Sequence, residues 1–447
     1  MGDHGRLGRA QRTAAVAAAL ATALLGSAAC GDDSGGGGRA SGPLKVWVRG
    51  ADDSATAYRK VFAGFTARTG VKVDLFMTLT DFETKLNAAA AAHDLPDVVI
   101  NDAAQLGAMK KQGIITEVDK SSITGRDKVG AVAWKSVQDI EGRTYGVPFS
   151  AQANVLLVRT DWLKKVGMPA PKTWDDLENV ARAFTTRDPD GNGKNDTYGL
   201  AVPGSTQRGY IAWNWSSFLF EAGGDFLKPT GSGAYTSAVA SPEAVEAADF
   251  YKGLFCEDKA VQPGALNHVT NDSNKAFQTG VAGMYLTGPY AYAVSDATEV
   301  KGKYTAVAPP AGPQGGAALA EGTSIYSMAG SKRAADFKKF AEYMISAKAQ
   351  TTGMTGVKAA TIVRLPVNQD VDTASTRAGD PRWKVAQQVY DDNAHYEPVN
   401  VPDWQAYRTA AAEALNKLVS GCGDSKKALS ALDGRFRELL GKQGIAG

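Results

Sequence analysis

Residues 44–77, LKVWVRGADDSATAYRKVFAGFTARTGVKVDLFM, change their hydrophobic period twice. Residues 44–48 are rich in β-branched and aromatic types with alternating polarity, which predicts a strand. Over 56–68 the large apolar residues Tyr58, Val61, Phe62 and Phe65 recur at helical spacing, and Thr69-Gly70 closes the helix. Residues 71–77 return to strand character, 81–92 read as a second helix and 96–100 as a third strand. Strand, helix, strand, helix, strand predicts a parallel sheet with crossover helices, hence an α/β protein.

Working outward, helical patterns continue at 106–112 and 128–137, and 142–167 read as a short hairpin-like strand, a long apolar strand and a new helix. TWDDLENVARAF offers Thr173 as N-cap with acidic residues in its first turn. Further helices are expected at 242–255, 336–347, 382–390, 404–419 and 425–440. The 447 residues are too many for one core and suit two or three domains. A net charge of +2, with no basic stripe interleaved with aromatics, argues against a nucleic-acid partner.

The N-terminus differs from the body. Arg6, Arg9 and Arg12 precede an apolar run over 14–29, too short to span a membrane and ending in small residues, so 1–29 read as a signal peptide. LLGSAAC resembles a bacterial lipobox, with Ser27 where leucine is favoured. That resemblance implies lipidation of Cys30 and a membrane anchor, with 30–42 as a flexible tether. Plain secretory cleavage with Cys30 as a passenger is the alternative. Cys256 and Cys422 remain, and an exported chain permits either a bridge between them or two buried thiols.

One loop is written in oxygens. In DPDGNGKND, Asp188, Asp190, Asn192, Lys194 (through its carbonyl) and Asp196 take the first, third, fifth, seventh and ninth places of a Ca²⁺ loop, with Gly193 at the sixth. The twelfth place is Gly199, so the helix-loop-helix hand is incomplete. Asp-Pro-Asp-Gly and Asn-Gly also make ordinary turns, and a metal-free Asx-rich turn stays open beside structural Ca²⁺.

Several phrases in order, GFTARTGVKVDL, DLPDVVIND, YGVPFSAQANVLLVRTDWLKKVGMPAPKTWDDLENVARAF, AFQTGVAGMYLTGPY and GSKRAADFKKFAEYMIS, resemble the extracellular solute-binding proteins of the maltose-binding type, receptors of ABC importers. The resemblance implies a type II periplasmic-binding-protein fold: two α/β lobes joined by hinge strands, with the ligand between them. It places lobe 1 at 43–150 plus 324–347 and lobe 2 at 151–323 plus 348–447, with crossings near 148–153 and 322–326. It also implies a monomer, a permease partner and no catalysis. In some relatives a Ca²⁺-type loop recurs at this place, which would make the ion a brace away from the ligand.

Candidate ligand contacts follow from the same resemblance and from residue chemistry. Tyr290 stands where an aromatic platform is expected, and Trp404 and Arg408 lie four apart on one helix face. Of Trp213 and Trp215, one belongs to the core, and Trp213 is the favoured contact. Arg49, Asp52 and Asp53 follow the first strand and Asn101, Asp102 and Gln105 the third, at carboxyl ends where open α/β sheets bind ligands. Gln152 sits at the hinge. Aromatic faces with amide, carboxylate and guanidinium partners suit a carbohydrate. An exported glycoside hydrolase with paired carboxylates, and the same receptor with a polyamine or peptide cargo, are the rival readings.

Overall fold

The computed structural model describes residues 42–231, 233–357 and 361–447; the signal segment and Cys30 lie outside them. The strands, in chain order, are β1 (Leu44–Arg49), β2 (Val73–Thr78), β3 (Val98–Asp102), β4 (Val147–Ala153), β5 (Val155–Arg159), β6 (Tyr198–Ala201), β7 (Leu227–Gly231), β8 (Ala234–Ser237), β9 (Ala282–Thr287), β10 (Tyr304–Val307), β11 (Ala318–Ser327), β12 (Leu365–Pro366) and β13 (Ala394–Tyr396). The first sheet runs β12-β4-β11-β3-β1-β2, with β13 beside β11, and the second runs β10-β5-β9-β6. β1 pairs in parallel with β2 and β3, as the opening stretch predicts.

The Ala55–Thr69 helix turns Tyr58, Val61, Phe62 and Phe65 inward, and Gly70 ends it in the left-handed conformation (φ 74°). Phe65 is fully buried and meets Phe340 edge-on at 5.2 Å. Such a side chain contributes about 1.5–3 kcal/mol by leaving water. The Trp174–Thr186 helix starts as its sequence predicts. Thr173 Oγ1 accepts the Asp176 N–H at 3.2 Å and the Asp176 carboxylate accepts the Thr173 N–H at 3.1 Å.

The chain changes sheets at places slightly different from those expected. Residues 148–153 and 322–326 pair with each other, Thr323 opposite Ser150, inside the first sheet. The first passage is the single residue Asn154, between β4 and β5, and the second is 308–317, between β10 and β11. Residues 348–447 also do not all join the second lobe. The Ala347–Thr355 helix packs on Ala55–Thr69, and β12 pairs with β4, so this stretch lies with the first sheet. Ser346 caps a new helix immediately after Ala334–Met344, and its apolar residues Ala349 and Met354 enter the same core as Met344. The Trp404–Gly421 and Ser425–Gln443 helices do pack in the second half, on Tyr210–Glu221 and Pro242–Cys256.

Glu221 is buried in that second core. Its Oε2 accepts the Trp174 indole N–H at 2.7 Å, and its Oε1 has no partner. Burial pushes this carboxyl well above the ordinary range, opposed only by the Trp174 bond. A folded pKa above the unfolded one means its favourable contribution is complete at acid pH, below the unfolded value of about 4.3. It is lost as pH rises toward the folded value, by about 1.4 kcal/mol per pH unit. We expect Glu221→Gln to raise the melting temperature at neutral pH and to flatten its fall between acid and neutral pH in thermal melts. A variant less stable than wild type at neutral pH overturns this account.

Candidate functional site

A cleft of about 450 Å³ opens where the two sheets meet. Its walls begin at strand ends. Arg49 closes β1 and Asp102 closes β3, so the parallel register of those strands sets both on one rim. Arg49 Nη1 reaches Asp102 Oδ2 at 2.8 Å and its Nε reaches Glu83 Oε1 at 3.2 Å. Burial works against the Arg49 charge, and these two carboxylates outweigh it, holding its pKa above the ordinary value.

The floor is the paired β4 and β11. Gln152 on β4 stands opposite Glu321 on β11 and donates Nε2–H to Glu321 Oε2 at 3.0 Å, while its own Oε1 is buried with no partner. Glu321 also lies 3.7 Å from Arg408 Nη2. Burial raises the Glu321 pKa, and Arg408 offsets part of the rise.

Glu397, 3% exposed, anchors the second wall. It forms a close ion pair with Arg408 and accepts the Trp404 indole N–H at 2.9 Å and the Ser216 hydroxyl at 3.2 Å. Arg408 is held charged because Glu397 and Glu321 outweigh its burial. Gly209 permits this arrangement, since a Cβ there would sit 2.4 Å from Arg408 Cγ. Tyr290 follows β9, its hydroxyl accepting from Thr287 Oγ1 at 2.8 Å, and the Arg364 guanidinium lies 5.7 Å from its ring centre.

Of the residues singled out in the sequence, Arg49, Asp102, Gln105, Gln152, Trp213, Tyr290 and Arg408 line the cleft. Others do not. Asn101 is 1% exposed, and its Oδ1 is spent on the Asp102 N–H, because successive strand residues face opposite ways. Asp52 is exposed in a short turn outside the cleft lining, and only the backbone of Asp53 is described. Trp404 is 1% exposed, stacked on Tyr407 at 5.9 Å, and serves the cleft only through Glu397. Glu321, Glu397 and Arg364 went unsingled, although each lines the cleft.

Two further stretches lie away from the cleft. Cys256 and Cys422 are joined by a disulfide. In the 188–196 loop, Asp188 accepts the backbone N–H groups of Gly191, Asn192 and Gly193, while the Asn192 amide donates to Asp190 and Asp196. Among the described residues no group of three or more His, Cys, Asp or Glu is gathered to hold a metal, and no helix is long and apolar enough to cross a membrane.

Residues 51–351 match the family described as bacterial extracellular solute-binding protein. The diacetylchitobiose binding protein DasA of Streptomyces coelicolor is 25% identical over 391 residues, 83% of this chain and 87% of its own. The polygalacturonan/rhamnogalacturonan-binding protein YtcQ of Bacillus subtilis is 38% identical over 128 residues, 27% of this chain and 25% of its own. The GacH receptor of Streptomyces glaucescens, solved unliganded and with acarbose, shares the fold at a TM-score of 0.76 and 22% identity, covering 90% of this chain and 99% of GacH. With more than half its length matched and its two sheets meeting at a polar cleft, the chain belongs to the bacterial extracellular solute-binding proteins, a family of binding receptors and not of enzymes.

Proposed function

We propose that the protein is the receptor of an ABC importer, taking a mono- or oligosaccharide into the cleft and presenting it, closed, to a membrane permease. The lining carries this reading. Tyr290, Trp213 and Tyr210 offer rings beside amide, carboxylate and guanidinium groups, and a sugar has both a flat apolar face and a rim of hydroxyls. Gln152 Oε1, buried without a partner, is an acceptor suited to a hydroxyl. Relatives named for diacetylchitobiose, fructooligosaccharide and polygalacturonan support a carbohydrate cargo. Ligand contacts to both walls reward the closed shape, which couples binding to recognition by the permease. Cys30 anchors the receptor to the outer face of the membrane; a Bacillus subtilis relative called lipoprotein LipO supports that part.

A thermal-shift panel of saccharides, polyamines and peptides tests the cargo, with sugars expected to raise the melting temperature. Alanine at Tyr290 or Trp213 is expected to weaken the best sugar about tenfold or more, from roughly 1.5 kcal/mol of lost ring contact. A shift with polyamines or peptides alone replaces the cargo, and release of product from labelled oligosaccharide overturns the receptor reading.

For the 188–196 loop we propose Ca²⁺ as a brace outside the cleft. Support comes from the alternate spacing of Asp188, Asp190, Asn192 and Asp196 and from Gly193 in the left-handed conformation at the turn. A cation would take over the role that the Asn192 amide now plays between two carboxylates. A chelator is then expected to lower the melting temperature and added Ca²⁺ to restore it, by preferential binding to the native state. Identical melts with and without chelator make the loop a self-satisfied turn.

A further inference from the structure

The cleft is lined by four guanidiniums, and they fall into two kinds. Arg49 and Arg408 are neutralised by Asp102, Glu83, Glu321 and Glu397. Those pairings also occupy all three carboxylates of the lining, Asp102, Glu321 and Glu397. Arg364 and Arg208 make no ion pair among the described residues. Arg364 has only the Tyr290 ring beneath it, and its Nε is buried without a hydrogen-bond partner. Arg208 is held in the left-handed region at φ 53°, ψ 11°, a conformation that disfavours a residue with a Cβ. It stands two residues before the Tyr210–Glu221 helix, whose first turn, with Tyr210 and Trp213, also lines the cleft.

From these two uncompensated cations we infer that the saccharide taken by the cleft is acidic, carrying a carboxylate or a phosphate that Arg364 and Arg208 receive. The inference rests on the carbohydrate reading above. A neutral sugar would fill the cleft and expel water from around two guanidiniums without supplying a counter-charge, and an unpaired charge taken from water is costly. An oxyanion removes that cost and adds charge-assisted hydrogen bonds, which guanidinium donors make in parallel pairs. The positive end of a 12-residue helix at the same wall favours the same sign of ligand. A cationic ligand is disfavoured on the same grounds, since no lining carboxylate is left without an arginine.

The test uses matched pairs on the full chain: D-glucose, D-glucuronate and D-glucose 6-phosphate, then galactobiose and digalacturonate, each titrated by calorimetry at low and at physiological ionic strength. At least one acidic member is expected to bind about tenfold or more tightly than its neutral partner, with the preference shrinking as salt rises. The uronates and the phosphate ester separate the two anion chemistries. Arg364→Gln and Arg208→Gln are each expected to cut the acid-over-neutral ratio about tenfold. Melting curves and circular dichroism check that both variants fold, and the salt dependence of the wild type stands on its own if one does not. Equal or tighter binding of the neutral members, without salt dependence, overturns the inference and leaves the saccharide receptor standing. Binding confined to polyamines or peptides overturns both.

Discussion

Glu397→Ala is expected to destabilise the protein by about 3–5 kcal/mol, the range for breaking a buried ion pair from one side. Two groups lose their principal acceptor at once. The Arg408 side chain, 11% exposed, is left with Glu321 at 3.7 Å, and the Trp404 indole N–H is left buried without its carboxylate, while the Ser216 hydroxyl keeps the Ala212 carbonyl at 2.8 Å. Arg408 is then drawn toward Glu321, which loosens the Gln152–Glu321 contact across β4 and β11 and disorders the ligand wall. Glu397→Gln keeps the shape and one acceptor and is expected to lose less. The double variant Glu397→Leu/Arg408→Met removes both charges and is expected to recover much of the loss, because a well-packed apolar pair avoids the desolvation cost. Chemical denaturation of the three variants measures the series. A single-variant loss below about 1 kcal/mol would mean that the pair is solvated and contributes as a surface pair does.

That Glu397 matters was not readable from its surroundings in the chain. It follows directly on a three-residue strand, Ala394–Tyr396, that pairs with β11, and its partners Ser216 and Arg408 are 181 and 11 residues away. Glu321 has the same history. In ALAEGTSIY it looks like a strand acid, and only the β4·β11 pairing sets it against Gln152. By contrast, the local periods sufficed for the first three strands, for the Ala55–Thr69 helix and for the Thr173 cap, where each signal lies within a few residues of what it determines. Asn101 shows a signal present and unused. Alternation along β3 requires that Asn101 and Asp102 point to opposite faces, so both could not line one cleft. Trp404 shows the limit of the helical rule. Spacing of four puts Trp404 and Arg408 on one face, which they share by both holding Glu397, but spacing does not say which of two groups on a face meets solvent. Arg364 could be found only with the course of the chain near β12, after the part of the chain expected to leave the first lobe had returned to it.

Reduction of the Cys256–Cys422 disulfide is expected to give the other large loss, about 5 kcal/mol on the chain-entropy account for a crosslink spanning 166 residues. The bridge joins the last residue of the Pro242–Cys256 helix to the residue that follows Trp404–Gly421. Both helices already bury Leu254, Leu418 and Val419 in one core, so the folded state has little to gain from the crosslink. Its effect falls on the unfolded chain, whose loop includes β9 to β13 and is kept from expanding. Cys422 caps its helix in the left-handed conformation at φ 47°, a position that favours glycine. Cys256→Ala/Cys422→Gly is therefore expected to be more stable than Cys256→Ala/Cys422→Ala, by about 1 kcal/mol of relieved backbone strain. Urea denaturation of the oxidised, reduced and two double-variant proteins gives all four values. The cleft lining includes neither cysteine, so sugar affinity of the reduced but folded protein is expected to match that of the oxidised one. A reduced protein as stable as the oxidised would show that the unfolded chain is already compact across this span, whereas a large loss of affinity on reduction would show that the bridge holds the second wall of the cleft in place.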